Sequence, residues 1–506
     1  MSECSYSNRI NGLRRSGSGV LSNRIMTGLI VAAVSAGMVG CSTVTTIQPE
    51  PLELMSGTDE AAASRALNAA VDVNWWRHFS SPALDKVVAQ GLQHNFDLQA
   101  AWERLAQSRA VAEQQASGKF PSLDVTAGGS RSWAESSTTD SWSVGLSTQY
   151  ELDFWGRVAA LDEQGRLDAL ASEAAGRVQA NTTAKGVVEA WYGWVYQQQL
   201  LQLLEQQQMR LKQSLAATTS RFRRGLVVRS DVWQQQQLLE SINADVIDAQ
   251  RQQQLYGQQL AVWTANGHWL SATGIDETMQ QALSQSVFPV LDTVPDVPLE
   301  ALKYRPDVEQ AWYQLQADNA GLATAVANRY PRLTLSASYS GSSTQWDDVF
   351  DNWIASLAAN LVLPILDGGN RKATVLQREA QVRESIAHYQ QTLLTSAQAV
   401  REAQVNESSV LRQVQSLDAR LLLARQTEAS QQARYLRGVV TLLQLITAQR
   451  SVLTLEQQLL AARWQQLQYR IQLYQAVSHG DFDEPAQSSA QLSHPEFYPD
   501  QKGDQA

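Results

Sequence analysis

The sequence predicts a mostly α-helical protein with a small β part, built from two tandem structural repeats. Three observations predict this fold class. Two long stretches, 157–265 and 371–477, contain no proline, as expected of uninterrupted helices. Four short segments alternate apolar and polar residues with the two-residue period of a β-strand. The chain also resembles itself at an offset near 210 residues, so that each copy is expected to run helix, strand, strand, long helix, turn, long helix.

Bulk composition excludes several classes of protein. The 506 residues carry a net charge of -10, which gives no sign of the basic face that binds nucleic acid. Cys4 and Cys41 are the only cysteines, so a disulfide framework is excluded for the body of the protein. The six histidines are scattered without metal-ligand spacing, and no metal or other cofactor is expected.

The first 40 residues are typical of a signal peptide. Arginines at 14, 15 and 24 precede an apolar run, 29–39, that is too short to span a bilayer. Small residues then lead into Cys41, in a pattern similar to the bacterial lipobox, although Met38 replaces the usual Leu. We therefore expect a covalent lipid, such as palmitate, on Cys41. A lipid-anchored segment would follow at 41–82.

Repeat 1 is predicted over 83–265. A first helix at 83–117 is followed by Pro121 and by strands at about 121–134 and 141–154. Long helices are expected at about 157–220 and 231–265. Some 60 helical residues span roughly 90 Å, far more than a usual globular helix.

A linker at 266–298 leads into repeat 2 at 299–480. Its first helix, 299–328, precedes Pro331, strands at about 331–346 and 353–366, and long helices at about 371–433 and 441–477. The tail from 481 to 506 is polar, contains proline and is expected to be disordered.

The repeat is visible in matching landmarks. Asp97 corresponds to Asp307, Phe120-Pro121 to Tyr330-Pro331, and Gly225 to Gly438. The long helices alone would suit a solvated coiled-coil rod, but the duplication and the strands argue against a simple rod.

The strands are apolar on one face and small or polar on the other, which suits a membrane barrel with a wet lumen. Aromatic residues lie near their ends, as in interfacial girdles: Trp133, Trp142, Tyr339, Trp346 and Trp353. A soluble sandwich is the alternative. Four strands cannot close a conducting barrel, so several chains would have to share one.

Four sequence motifs carry a resemblance that covers nearly all of 41–480. They are the opening WWRHF at 75–79, LDFWGR at 152–157, RPD at 305–307 and LPILDGGNR at 363–371. Their order and spacing are similar to those of the TolC-type outer-membrane efflux channel family, nearest its OprM-like or NodT lipoprotein branch. The resemblance implies a homotrimer with a twelve-stranded barrel in the outer membrane, continued by a periplasmic α-helical tunnel. It also implies a mixed equatorial region around the tunnel, formed by residues around 42–82, 266–298 and the C-terminal part, and docking to a periplasmic adaptor and an inner-membrane pump.

Local chemistry identifies structural joints where strands become helices. Carboxylates there cap exposed N–H groups, and glycines permit unusual backbone angles. The joint residues are Pro121, Asp153, Gly156, Pro331, Asp367, Gly368 and Gly369. We expect no catalysis at these positions.

The resemblance places a gate at the two helix–turn–helix tips. The apolar ring would fall on Leu443, and the usual acidic position falls on Thr447, which puts cation selectivity in doubt. Asp231 and Arg450 are expected to form an ion pair across the tips; the alternative is that Asp231 acts only as a helix cap. The cap of the returning helix is expected to be Ser230 or Asp231 at the first tip and Thr441 at the second. The predicted turn and adaptor-contact residues are Gly225, Gly438, Arg223, Arg224, Arg229 and Arg437.

The predicted function is a passive exit duct for drugs or other small molecules, opened by docking of the adaptor and pump. Two alternatives stay open: a type I protein-secretion duct, and a non-conducting periplasmic coiled-coil lipoprotein. An enzyme is not expected, because no phosphate loop, nucleophile–base constellation or metal cluster is visible in the sequence.

Overall fold

A computed structural model of the chain describes residues 47–49, 74–270, 277–289, 291 and 299–478. The predicted signal peptide, Cys41, most of the segment 41–82, parts of the linker 266–298 and the predicted tail lie outside the described residues.

Repeat 1 has the predicted order of elements, with one correction. The single predicted helix at 83–117 is two helices, α1 (Pro82–His94) and α2 (Phe96–Ala116). Asn95 breaks it in an extended conformation, where its side chain accepts a hydrogen bond from Leu98 N and its amide donates to Trp263 O. The strands β1 (Ser122–Ala134) and β2 (Ser137–Leu152) follow, then α3 (Arg157–Arg223) and α4 (Arg229–Trp263), the pair called hairpin 1 below.

Repeat 2 follows after the short helix α5 (Glu277–Gln285). Its first helix, predicted to start at 299, starts at Pro306 after a 3-10 segment and forms α6 (Pro306–Ala327). Proline is favoured in the first turn because it has no N–H to satisfy there. The remaining elements are β3 (Arg332–Ser343), β4 (Trp353–Val362), α7 (Asn370–Leu436) and α8 (Leu442–Val477). The last two helices are called hairpin 2.

In each repeat one long helix is accompanied by shorter helices, namely α1, α2 and α4 in repeat 1 and α6 and α8 in repeat 2. Both long helices, α3 and α7, have 67 residues, or about 100 Å. The shorter helices meet end to end: the amide of Asn95 reaches the end of α4 at Trp263 O, and Arg305 reaches the end of α8 at Ala476 O.

The largest buried cluster lies where the two repeats meet, and it uses the Trp-Trp opening singled out in the sequence. Trp75, Trp76 and Phe79 are buried against α3 and α8. Trp75 Nε1 donates to Asn181 Oδ1 at 3.0 Å, and Asn181 Nδ2 donates to Gln475 O at 3.2 Å. This opening therefore connects hairpin 1 to hairpin 2.

The four strands form one antiparallel sheet in the order β1-β2-β3-β4. The two repeats are joined through the central pair, β2 and β3. β2 starts four residues before its predicted position, and β3 and β4 end earlier than predicted, β4 just before Pro364. β1 and β4 are the outer strands and are exposed along their whole lengths.

Among the residues that the structure describes, no helix combines the length and apolar character needed to cross a membrane.

Candidate functional site

The sheet has one apolar and one polar face. Register aligns Leu146 with Val125 on one side and Tyr339 on the other, so these side chains share a face. The same face carries Leu335 opposite Ala359. The opposite face is small and polar, and a cavity of about 180 Å³ lies over it, lined in part by Asp124, Ser147, Gln149, Ser338 and Ser356. This division suits a wall with lipid on one side and water on the other.

The apolar face covers a limited length of the sheet. In β2 it runs from Trp142 to Leu152, ten steps of about 3.3 Å, which at a tilt of about 40° give a height of about 25 Å. Beyond Trp142 the same face carries an ion pair, Arg131 Nε to Asp140 Oδ1 at 2.5 Å. An aromatic pair, Trp142 with Trp346 at 5.6 Å between ring centroids, lies at this end. The height equals that of the apolar band of outer-membrane barrels.

Both predicted carboxylate joints make helix-capping contacts. Asp153 Oδ2 accepts from Ala159 N at 2.8 Å, and Asp367 Oδ2 accepts from Arg371 N at 3.2 Å. Gly156 and Gly369 precede α3 and α7 with φ of 70° and 87°, in the left-handed region that favours glycine. The strand-to-helix turns are therefore built locally, from the residue types that the sequence presents there.

Proline joints from the two repeats differ in their surroundings. Trp155 Nε1 donates to Pro331 O at 2.8 Å, and its ring stacks on Tyr330 at 4.8 Å. Phe120, the residue of repeat 1 that corresponds to Tyr330, is 71% exposed. Leu366, at the other open side of the sheet, is 94% exposed. Apolar side chains are thus left uncovered at the two outer ends of the joint region.

Tip 1, defined as residues 220–235, joins α3 to α4. Gly225 has φ of 71°, and Leu226 N donates to Arg221 O, which ends α3 in a left-handed turn. The prediction that Ser230 or Asp231 caps α4 is wrong, because the cap residue is Val228 and makes no side-chain hydrogen bond. Asp231 instead lies in the first helical turn, where a negative charge suits the helix dipole.

Tip 2, defined as residues 430–450, joins α7 to α8. Gly438 has φ of 77°, and Val439 N donates to Arg434 O. The predicted cap is confirmed: Thr441 Oγ1 accepts from Gln444 N, and Gln444 Oε1 accepts from Thr441 N. This reciprocal pair is a capping box. The two tips thus have the same turn but different helix starts.

Two contacts join tip 1 to tip 2. The guanidinium of Arg221 lies 4.6 Å from the ring centroid of Tyr435, which is buried. Gln235 Nε2 donates to Gln449 Oε1 at 3.3 Å. Burial raises the pKa of Tyr435, so its hydroxyl stays neutral. In this arrangement the tips are packed together.

The predicted gate residues lie on α8 with helical spacing. Leu443 is 61% exposed, and Thr447 and Arg450 lie on the same exposed stripe, four and seven residues further along. Thr447 Oγ1 donates to Leu443 O at 2.8 Å. Asp231 and Arg450 of the same chain do not form an ion pair with each other. The predicted pairing of these two residues across the tips is therefore not made within one copy.

A buried carboxylate that the sequence analysis did not identify ties α8 to both long helices. Glu456 Oε2 accepts from Arg210 at 2.6 Å and from Gln207 at 2.9 Å, and Oε1 accepts from Arg425 at 3.0 Å. Burial alone would raise the pKa of Glu456, but the hydrogen bonds from Arg210, Gln207 and Arg425 lower it below its ordinary value. Glu456 is the only acidic residue of α8, and this was the available signal.

A sheet with one lipid-compatible and one polar face, continued by two hairpins whose long helices are each about 100 Å, defines a channel subunit. Known proteins support this class. The model of the family described as outer membrane efflux protein matches residues 87–266 and 297–479.

Individual relatives align over nearly the full length. The probable efflux pump outer membrane protein TtgC of Pseudomonas putida (strain KT2440) is 26% identical over 483 residues, covering 92% of this chain and 98% of TtgC. The probable outer membrane lipoprotein SilC of Salmonella typhimurium is 22% identical over 454 residues, covering 88% and 96%. A crystal structure of CusC superposes with a TM-score of 0.75 at 22% identity, covering 87% of this chain and 100% of that one. The chain belongs to the outer membrane efflux protein family.

Proposed function

We propose that this chain is the outer-membrane exit duct of a tripartite efflux system, and that it works as a homotrimer. The observation that carries the proposal is the four-stranded sheet with opposite apolar and polar faces and two outer strands without partners in the described part of the chain. Four strands cannot enclose a pore, whereas three copies would supply twelve.

The internal repeat predicts how neighbouring copies would pair. Within the chain, Ser143 of β2 lies opposite Ser342 of β3. The repeat relates β1 to β3 by 210 residues (Leu123 to Leu333). Thr148 lies opposite Leu123 and Leu361 lies opposite Leu333, so β2 is related to β4 by 213 residues. The same register between β4 and the β1 of a second copy places Ser356 opposite Ser132. It also places Ala355 opposite Trp133 on the apolar face.

We further propose that Cys41 carries a lipid anchor in the outer membrane. SilC is named an outer membrane lipoprotein, and Ile47 lies on α6, the helix that leads into the sheet: Ile47 N donates to Asn319 Oδ1 at 3.1 Å. The six residues from Cys41 to Ile47 span at most about 20 Å. Asn319 lies about 12 Å before the end of α6, which leads into β3, so the tether is long enough to reach the sheet.

Transport in this proposal depends on opening rather than on chemistry. The tips pack through Arg221 on Tyr435 and Gln235 on Gln449, with Leu443 as the apolar constriction. A periplasmic adaptor with its inner-membrane pump would open them by binding the separated tips better than the packed ones. Exposed residues such as Arg223 and Arg437 would contact the adaptor. The relatives named as efflux pump proteins support this partner class.

Planar-bilayer conductance of the purified protein tests the duct. We expect step conductances that increase in Tyr435→Ala, because this substitution removes the ring on which Arg221 packs. Tyr469→Ala is the matched control, since Tyr469 lies about 40 Å along α8 from its first residue, Leu442. A folded protein that gives no conductance in any variant would contradict the proposal.

A further inference from the structure

The charge of the two tips is opposite to that of the rest of the chain. Tips 1 and 2 together contain seven arginines and one acid, Asp231, a net charge of +6. The whole chain carries -10, so the remainder carries -16. In three copies the tips would bring +18 to one end of the assembly.

None of the tip arginines is neutralised by a carboxylate. The ion pairs found in the described residues all lie outside the two tips, although arginines take part in most of them. In tip 1, Arg221 and Arg229 pack on aromatic rings, and Arg224 donates to Ser220. These contacts orient the guanidinium groups and leave their charge in place.

Arg450 lies on the same helix as the proposed constriction residue, two turns from Leu443. It is exposed on the stripe of α8 that carries Leu443 and Thr447, and it has no hydrogen bond or ion pair to any residue that the structure describes. Thr447, whose hydroxyl donates to Leu443 O, adds no charge to this stripe. Around a threefold axis the stripe would present apolar, neutral and then cationic rings.

We infer that the tip of the assembled channel selects anionic solutes, and that Arg450 is the specificity-determining residue; this inference rests on the proposed duct. Like charges around a narrow opening concentrate counter-ions and exclude ions of their own sign. The solutes favoured would carry carboxylate, sulfonate or phosphate groups. The effect should weaken as salt shortens the distance over which the charges act.

Reversal potentials of the full-length acylated channel in planar bilayers test the inference. The KCl gradient is kept below about 0.1 M, where the Debye length is at least about 10 Å. We expect chloride to be more permeant than potassium. Arg450→Gln should lower the chloride-to-potassium permeability ratio by at least about twofold, and Arg450→Glu should lower it further.

Arg104→Gln is the matched control, an exposed arginine on α2 far from the tips, and it should leave the ratio unchanged. A conducting channel that prefers potassium, or a ratio unaffected by both substitutions of Arg450, would overturn the inference alone. Absence of conductance would overturn the proposed duct and the inference with it.

Discussion

The two hairpins have the same length and topology, but their interiors are held by different chemistry. Hairpin 1 packs aromatic rings into glycine positions: a Cβ added to Gly186 would lie 2.2 Å from the ring of Trp263, and one added to Gly193 would lie 2.3 Å from that of Tyr256. Hairpin 2 buries an ion pair, Arg470 to Glu407 at 2.6 Å, with both side chains almost fully enclosed. A repeat can therefore keep its fold while its two copies acquire different sensitivities to charge and pH.

The largest effect is expected from Arg470→Leu in hairpin 2. The substitution leaves the Glu407 carboxylate buried without its partner and should lower the apparent free energy of unfolding by about 3 to 5 kcal/mol. Urea midpoints of the helical circular-dichroism signal, measured in detergent, give the difference. The double variant Glu407→Leu/Arg470→Leu should recover most of the loss. A double variant as unstable as the single one would show that charge burial is not the cause.

The stability of hairpin 1 should depend instead on side-chain volume at its closely packed glycines. Gly193→Leu forces a side chain into the space of the Tyr256 ring and should cost about 1 to 3 kcal/mol by the same measurement. Adding Tyr256→Ala should relieve the clash. If Gly193→Leu alone is as stable as the wild type, the glycine is not required for close packing.

Glu456 connects the hairpins, and its contribution should depend on pH. Glu456→Gln should cost about 1 to 2 kcal/mol at neutral pH, because the bonds from Arg210 and Arg425 lose their charged acceptor. A carboxyl whose pKa is lowered in the folded state stabilises it above the unfolded pKa and loses that effect as pH falls through the folded value. The difference between Glu456→Gln and the wild type should therefore begin to shrink near the unfolded carboxyl pKa of about 4.3 and disappear only below the lowered folded pKa. A constant difference over this range would exclude the ionised carboxylate as its source.

The smallest expected effect is a difference in helix capping between the two tips. Thr441→Ala removes the capping box of α8 and should cost about 1 kcal/mol, whereas Val228→Ala at the start of α4 should cost almost nothing. Amide hydrogen exchange in the first turns of α8 and α4 measures the two losses. Equal losses would mean that the difference in capping has no energetic consequence.

The sequence predicted the parts of the fold that depend on local chemistry. Asp153 and Asp367 were identified from neighbouring residues alone, and their capping contacts involve N–H groups six and four residues away. The break at Asn95 was missed because its amide is fixed by Trp263, which lies 168 residues away. Glu456 was missed for the same reason, since Arg210 lies 246 residues away. Polar contacts between distant helices leave little pattern in a single sequence.

The register of the proposed seam gives the most direct test of the shared barrel. Opposite residues on antiparallel strands have Cα atoms about 4.5 to 5.5 Å apart, which a disulfide can bridge. Oxidised Ser132→Cys/Ser356→Cys protein should migrate as a covalent trimer. The pair Ser132→Cys/Ala355→Cys, which puts one thiol on the opposite face, should not. Monomers from the first pair, or equal cross-linking of both pairs, would contradict a sheet closed by three copies of this chain.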